Sequence, residues 1–385
     1  MPPIDISEVK EFVKDKTYDE IVNESMKNGL CVKYSNDDNL KGLYLLANKN
    51  EETSLEKTTL NYQANGIILE KETNNVVAMC QNQLYNCEKV SDILNPDQMT
   101  NQNTRIEYCE DGTMMRLYNY NDNWYTSTTR CIDARTSYWT SYKSFDELFW
   151  MLFDRSLLVN LDKNYTYVFV LLHKENRIVI RHKVNMLVYV SRIHNTTYTE
   201  DYTQQFNNIY GIRRPKKIDI YEYLNDIGNS DNFINATRHP YKRGILIKVL
   251  NKDTGCWDCY KKDYENYIFA KDIRGNVPQI RMRYLELLNE PEKLEIFEKI
   301  YSENKFMFNV IKTQLFKLAK TIHQLYINSH VKHQVEVKDD NMYYKTLRQL
   351  HAQYKTTNNP IVFDEVRKKV CSMNANIVKK LLMWE

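Results

Sequence analysis

The run Cys109-Glu110-Asp111-Gly112-Thr113 places a thiol, two carboxylates and a glycine directly before the β-forming stretch Met114-Met115-Arg116-Leu117-Tyr118. A thiolate is a strong nucleophile, and glycine lets backbone pass close to a bound phosphate. Glu110 and Asp111 oppose the first role, because neighbouring negative charge raises a thiol's pKa. No histidine lies near in sequence to act as base. The plainer reading is a neutral thiol beside a turn, with Asp111 and Gly112 serving turn geometry. Cys256-Trp257-Asp258-Cys259 has the spacing of half a tetrahedral zinc site. The other six cysteines supply no second Cys-x-x-Cys, so two thiols on a hairpin are the alternative. Arg130, at the end of Thr126-Ser127-Thr128-Thr129-Arg130, is a cation that would suit a phosphate or an ion pair equally. Further basic groups stand at Arg213-Arg214-Pro215-Lys216-Lys217, between Arg238 and Arg243, at Lys248 and at Lys261-Lys262. Tyrosines interleave with the later ones. Cations for phosphates and rings for bases suit single-stranded RNA; ordinary surface lysines beside half-buried tyrosines would give the same pattern.

The elements that must position these groups change character along the chain. Short amphipathic helices with polar connections are expected over residues 1–60. From Asn65 to about Arg274 the pattern is β-rich. Gly66-Ile-Ile-Leu-Glu70 and Val76-Val-Ala-Met-Cys80 flank a turn, as do the strand-like halves around Asn121-Asp122-Asn123 and around Asp253-Thr254-Gly255. Tyr165–Leu172, Arg177–Lys183 and Met186–Ile193 read as three strands, and the Ser144–Leu157 stretch as a helix between sheet sections. After Asn276 six segments follow a 3.6-residue period, with Pro360 preceding one helix start. These helical stripes are most simply core-facing. The expectation is an α+β protein: a β-rich domain over 1–275 and an all-helical domain over 276–385.

Composition limits the partners. The chain has 385 residues, with 42% hydrophobic and 12% aromatic, enough for a packed core. Lys and Arg number 53 against 50 Asp and Glu, so a polyanion site must be a local patch. No apolar run approaches the ~20 residues of a membrane span, and the first residues lack the apolar core of a signal peptide. Scattered cysteines read as reduced thiols, hence a cytosol-like compartment.

The order and spacing of several pieces resemble the phage-type RNA ligase 1 family and its relatives in large DNA viruses. They are Asn65–Cys80, Glu110–Arg130, Tyr165–Ile180, Phe269–Tyr301 and the Ile322–Gln334 stretch. The resemblance covers nearly the whole chain and implies a covalent nucleotidyltransferase fold followed by a helical domain. Members attack the α-phosphate of ATP with the lysine of a Lys-x-Asp/Glu-Gly motif; a neutral amine is the nucleophile. By that alignment the functional positions are altered. Cys109 stands in the lysine's place, Asn65 where a basic residue precedes the Gly-Ile-Ile strand, and Gln83 where a lysine closes the next. Val170 replaces the ribose-binding glutamate, and Arg243-Gly244 replaces Glu-Gly. The Lys-x-Lys pair that contacts the α-phosphate falls on Asp258 and Tyr260, with Lys261 and Lys262 close by. Valine cannot bind a ribose hydroxyl, Arg243 would repel a metal ion and Asp258 a phosphate.

Three readings follow. The chain is a catalytically inactive RNA-ligase-like protein that binds RNA or a protein partner, with no cofactor expected. Alternatively it is an active ATP- and Mg²⁺-dependent RNA ligase with a displaced nucleophile. In the third it is a structural subunit of a viral transcription or virion complex. The resemblance places it in the host-cell cytoplasm or the virion.

Overall fold

The computed structural model describes residues 2–49, 58–94, 103–202, 206, 209–218 and 242–384. Along the chain the strands are β1 (Leu30–Tyr34), β2 (Leu43–Asn48), β3 (Asn65–Glu70), β4 (Val76–Ala78), β5 (Tyr85–Asn86), β6 (Thr104–Cys109) and β7 (Thr113–Tyr120). They continue with β8 (Asn123–Thr128), β9 (Tyr165–Leu172), β10 (Met186–His194), β11 (Glu200–Asp201), β12 (Ile212–Arg213), β13 (Gly244–Leu250) and β14 (Trp257–Asp263). Three sheets result, ordered β1-β2-β3-β4, β11-β10-β9-β7-β8 with β12 beside β10, and β5-β14-β13-β6. The chain falls into two compact units, one holding the described residues as far as Ile268 and the other those from Phe269 on. The first unit is β-rich and the second helical, an α+β protein.

The hairpins expected from turn chemistry are present. Asn121 and Asp122 sit at φ 48° and 63°, the left-handed pair that a two-residue turn between β7 and β8 requires. The Asp253–Gly255 turn joins β13 to β14, and β3 pairs with β4. The Ser144 stretch forms the helix Phe145–Trp150, opened by a capping box in which Ser144 and Glu147 satisfy each other's backbone N–H groups. Phe145, Leu148 and Phe149 pack from it onto Phe169 and Tyr189 of the second sheet.

Two expectations fail. Residues 1–60 hold the helices Ser7–Val13 and Tyr18–Ser25, but also β1 and β2. β2 is buried at every position, so it shows no alternation to mark it as a strand. The Arg177–Lys183 run is not a strand despite its β-branched residues. The N–H groups of Val179 and Ile180 donate to the Asp111 carboxylate at 2.9 and 2.6 Å, and the Arg177 guanidinium turns back onto the Val179 carbonyl. A side chain has taken the hydrogen bonds that a neighbouring strand would have taken.

The second unit contains helices Ile280–Glu286, Pro291–Ile300, Lys305–Tyr326, Tyr344–Thr357, Phe363–Cys371 and Ala375–Leu381. They match the six periodic segments. Leu318, Ile322, Leu347, Leu350, Val366 and Val370 form the core there. Lys305–Tyr326 runs on into a π-turn at Ile327–Val331.

Candidate functional site

A cleft of about 420 Å³ opens in the first unit, between the face of β6, β13 and β14 and the face of the second sheet. Alternation sets its walls. Glu107 and Cys109 of β6 pair with Leu246 and Gly244 of β13, and Leu246 pairs with Lys261 of β14. All but Gly244 line the cleft. Ile106, Ile245 and Ile247 point the other way into a separate apolar cluster with Tyr264. Met114, Val170, Val188 and Val190 form the facing wall, and Asn65, Gln81 and Gln83 close one side.

Five positions that the resemblance nominated, far apart in the chain, therefore meet here: Asn65, Gln83, Cys109, Val170 and Arg243. Asn65 is engaged locally, donating to the Gln81 carbonyl at 2.8 Å. Burial pushes the Cys109 thiol up; Arg243 pulls it down, Asp263 pushes it up again, and the net shift is upward. At neutral pH it is a thiol, not a thiolate. Arg243 donates to Asp263 at 2.9 Å and to the Glu110 carbonyl at 3.3 Å. Burial disfavours its charge, but the net shift is upward, and at neutral pH, where Cys109 and Tyr267 are uncharged, the Asp263 carboxylate is the group that holds it protonated.

The carboxylates of the cleft are spent on cations. Glu107 is bound by the Arg105 guanidinium, whose Nε donates at 2.5 Å. Glu110 accepts from Arg213 at 2.7 Å. Under the cleft lies an acid that the sequence reading missed. Glu200 is fully buried and accepts from Gln81, from Ser191 at 2.7 Å, from Tyr202 and from the Lys248 ammonium at 3.3 Å. Burial raises its pKa, but Lys248 and these hydrogen bonds more than offset that and leave it below the usual carboxylate value. Lys248 is shifted up in turn: burial lowers it, and Glu200 and Tyr202 outweigh the burial. A buried ammonium held this way is neither a free phosphate ligand nor a neutral amine.

Other nominated residues lie elsewhere. Asp111 is buried, with one carboxylate oxygen on the Val179 and Ile180 amides and the other accepting from Tyr267 at 2.6 Å. It is a structural joint, with no oxygen left over for a ligand. Gly112 does line the cleft; a Cβ there would stand 2.5 Å from the Leu171 carbonyl oxygen, so β7 can start this close to β9 only as glycine. Arg130 is turned away, donating to Asn48 at 2.6 Å beside a different hollow with Lys33 and Asp37.

The Asp258 and Tyr260 positions need correction. Tyr260 packs with the opposite-face cluster, and Asp258 accepts from Asn251 at 3.1 Å. The cleft side of β14 carries Cys259 and Lys261 instead, because a slip of one residue exchanges the faces of a strand. Lys262 belongs with Tyr260. Lys261 lines the cleft with only a long contact to Asp263, 3.7 Å. Cys256 and Cys259 are free, and burial pushes Cys259 up to about 12. Among the described residues no group of three or more His, Cys, Asp or Glu is arranged to hold a metal. Arg238 lies outside the described residues. No described helix is long and apolar enough to cross a membrane.

A second hollow, of about 650 Å³, adjoins the cleft across the Cys109–Asp111 turn. It shares Tyr108, Cys109, Glu110 and Arg243 with the cleft and is otherwise lined by Asp111 and by basic and apolar residues.

No protein-family model matches the chain. Over 310 residues it is 23% identical to the "Immediate-early protein ICP-46 homolog" of Invertebrate iridescent virus 6, a match covering 74% of this chain and 65% of that protein. The chain thus spans less than two thirds of the relative's length. Among solved structures it is similar to an archaeal ATP-dependent RNA ligase in two forms, at 10% identity. The TM-scores are 0.42 and 0.43, with 78% and 76% of this chain and 74% of each ligase covered. It is also similar to a protein of Aquifex aeolicus described as a candidate ATP-dependent DNA ligase, at 12% identity and TM-score 0.42, with 88% of both chains covered.

Proposed function

We propose that this chain is a nucleotidyltransferase-fold relative of the phage-type RNA ligases that has given up covalent catalysis and acts by binding RNA. One observation carries the reading: five substituted positions, scattered through the sequence, converge on one cleft, and none retains the group the reaction needs. The attacking position holds a protonated thiol, the ribose-binding position a valine, and the Glu-Gly position an arginine. Mg²⁺ does not fit the cleft, because Glu107 and Glu110 are already neutralised by Arg105 and Arg213. In this reading residues 1–275 form the nucleotidyltransferase domain and 276–385 a helical domain. The iridescent-virus relative supports a viral setting, in the host cytoplasm or the virion.

The test is incubation with α-labelled ATP and Mg²⁺, followed by intact-mass measurement and peptide mapping. The expected result is no covalent nucleotide. An adenylylated residue anywhere in the chain overturns the proposal.

A second reading rests on Lys261, an amine that lines the cleft with only that weak partner. If it were the displaced nucleophile, the label would map to Lys261, and Lys261→Arg would abolish it while Cys109→Ser would not.

A further inference from the structure

Resting on the RNA-binding reading, we infer that single-stranded RNA is held on the helical unit, with its phosphates along the outward face of the helix Tyr344–Thr357 and a base against the His330–His351 ring pair beside it. The near balance of charge over the whole chain hides an uneven distribution. From Lys305 to the last residue, Lys and Arg number 14 against 6 Asp and Glu. With a whole-chain charge of +3, the residues before Lys305 are net acidic. The attraction for a polyanion is concentrated in this last stretch.

The helix Tyr344–Thr357 carries part of that excess on one side. It contains no Asp or Glu. Its Lys345, Arg348 and Lys355 follow one another at helical spacing and so share a face. All three are exposed, and among the described residues none of them is ion-paired. Arg348 lies over the Tyr344 ring, 5.8 Å from its centre. The other side of the helix is spent on the core, where Leu347 and Leu350 pack with Leu318, Ile322 and Val366.

The rings come from two elements. His330 sits on the π-turn Ile327–Val331 and His351 on the helix, with ring centres 4.6 Å apart. Tyr326 stacks on His330 at 5.1 Å, and Tyr354 on His351 at 6.0 Å. Tyr326 is buried, both imidazoles are partly exposed and Tyr354 is exposed. His330 Nδ1 meets the Ser329 hydroxyl at 2.7 Å, and His351 Nδ1 is buried with no hydrogen-bond partner among the described residues. The charged groups around His330 are all potential cations: burial first, then His351, His333 and Lys355 hold it below its ordinary 6.5. Glu365, from the following helix, is engaged with Gln353 at 3.1 Å and Lys368 at 3.3 Å. Glu336, Asp339 and Asp340, in the loop between the π-turn and the helix, are exposed. An imidazole among cations gains from a phosphate placed against it, and that phosphate draws a proton onto the ring.

Cations beside partly exposed rings match a single strand, whose phosphates need charge and whose bases need stacking. A duplex keeps its bases inside and leaves the rings unused. An acidic peptide would use the cations alone. A membrane surface needs large apolar side chains pointing outward, and this face offers Gln349 and Ala352 instead.

The experiment measures binding of a fluorescein-labelled oligoadenylate RNA, about twelve nucleotides long, to the full chain by anisotropy across a salt series. Lys345→Glu/Arg348→Glu/Lys355→Glu is compared with Lys27→Glu/Lys41→Glu/Lys163→Glu, an equal change of charge at exposed lysines of the first unit. The helix variant is expected to weaken binding by at least tenfold near 0.1 M salt. It should also flatten the slope of log K against log salt by about 2, since each phosphate contact on a single strand is worth ~0.7. The first-unit variant should bind as the wild type does. Circular dichroism confirms each fold; Lys345→Gln/Lys355→Gln, which keeps good helix formers, should still flatten the slope by ~1.4. Wild-type affinity should rise several-fold from pH 7.5 to pH 5.5, and His330→Gln should remove much of that rise. An unchanged pH response in His330→Gln overturns the placement at the ring pair. If the wild type binds RNA but the helix variant matches it, or both triple variants lose binding equally, the inference falls and the RNA-binding reading survives. If the wild type does not bind RNA, both fall. Poly-glutamate displacing RNA at equal charge concentration would overturn the inference in favour of an acidic protein.

Discussion

The cleft and the hollow beside it lie on two sides of the Cys109–Asp111 turn and share Tyr108, Cys109, Glu110 and Arg243, but their linings differ: an apolar wall of Met114, Val170, Val188 and Val190 in the cleft, six Lys and Arg side chains in the hollow. In the cleft each acid has a cation of its own: Glu107 has Arg105, Glu110 has Arg213, and Glu200 has Lys248 beneath the floor. The neighbouring hollow is lined by six Lys and Arg side chains, of which Arg213 is paired with Glu110 and Arg243 with Asp263. A hollow lined by closed pairs is built for rigidity, because a ligand would have to break a pair before using it.

The contrast breaks soonest at the pair under the cleft. Lys248→Met leaves Glu200 buried without its counter-charge and should cost about 3–5 kcal/mol in urea unfolding. Changing both to apolar residues of similar volume should restore most of it. The pH profile gives the same pair a second signature. Glu200 sits below its ordinary value of 4.5, so its stabilisation holds above that pH and drains away as pH falls through the folded value. Lys248 sits above its ordinary 10.5, so its share holds below that pH and is lost as pH rises through the folded value. The double apolar variant should flatten both limbs. An unchanged profile would mean the cleft is not closed by this pair.

The partition between the hollows is the next place to press. Asp111→Ala strands the Val179 and Ile180 amides and the Tyr267 hydroxyl, an expected loss of about 2–4 kcal/mol. Asp111→Asn should cost about half that, since an amide can accept from the backbone and donate to the tyrosine oxygen. Equal losses would show that charge, not hydrogen-bond geometry, holds the turn. Gly112→Ala, with a Cβ forced against the Leu171 carbonyl, should cost about 1–3 kcal/mol by the same measurement. Smallest is Cys109: with its thiol shifted up, iodoacetamide should label it slowly at pH 7.5 and faster as pH rises. Rapid labelling at neutral pH would return a nucleophile to the cleft and erase the contrast.

What the sequence disclosed depended on whether the controlling force was local. The hairpin at Asn121-Asp122 and the six helices were legible because turn chemistry and a 3.6-residue period are written in neighbouring residues. β2 was not, since a strand buried on both faces loses its alternation. Arg177–Lys183 misled for a related reason: its residues favour a strand, but Asp111, distant in the chain, claims its amides. The cleft positions were found by alignment with a resembled family, and the Asp258/Tyr260 error is the characteristic one of that route, a slip of one residue reversing the faces. Glu200 gave no local sign. Its partner did: Lys248 interrupts the apolar run Gly244-Ile-Leu-Ile-Lys-Val-Leu250 at a position facing inward, and a buried lysine demands an acid.

Asp111 carries a lesson about motif scanning. Its two oxygens tie the start of β7, the 179–180 backbone and Tyr267 into one knot, an occupation independent of any reagent passing through the neighbouring hollow. An Asp-Gly signature here testifies to masonry, and a search that scores it as evidence of reactivity counts the keystone as if it were the door.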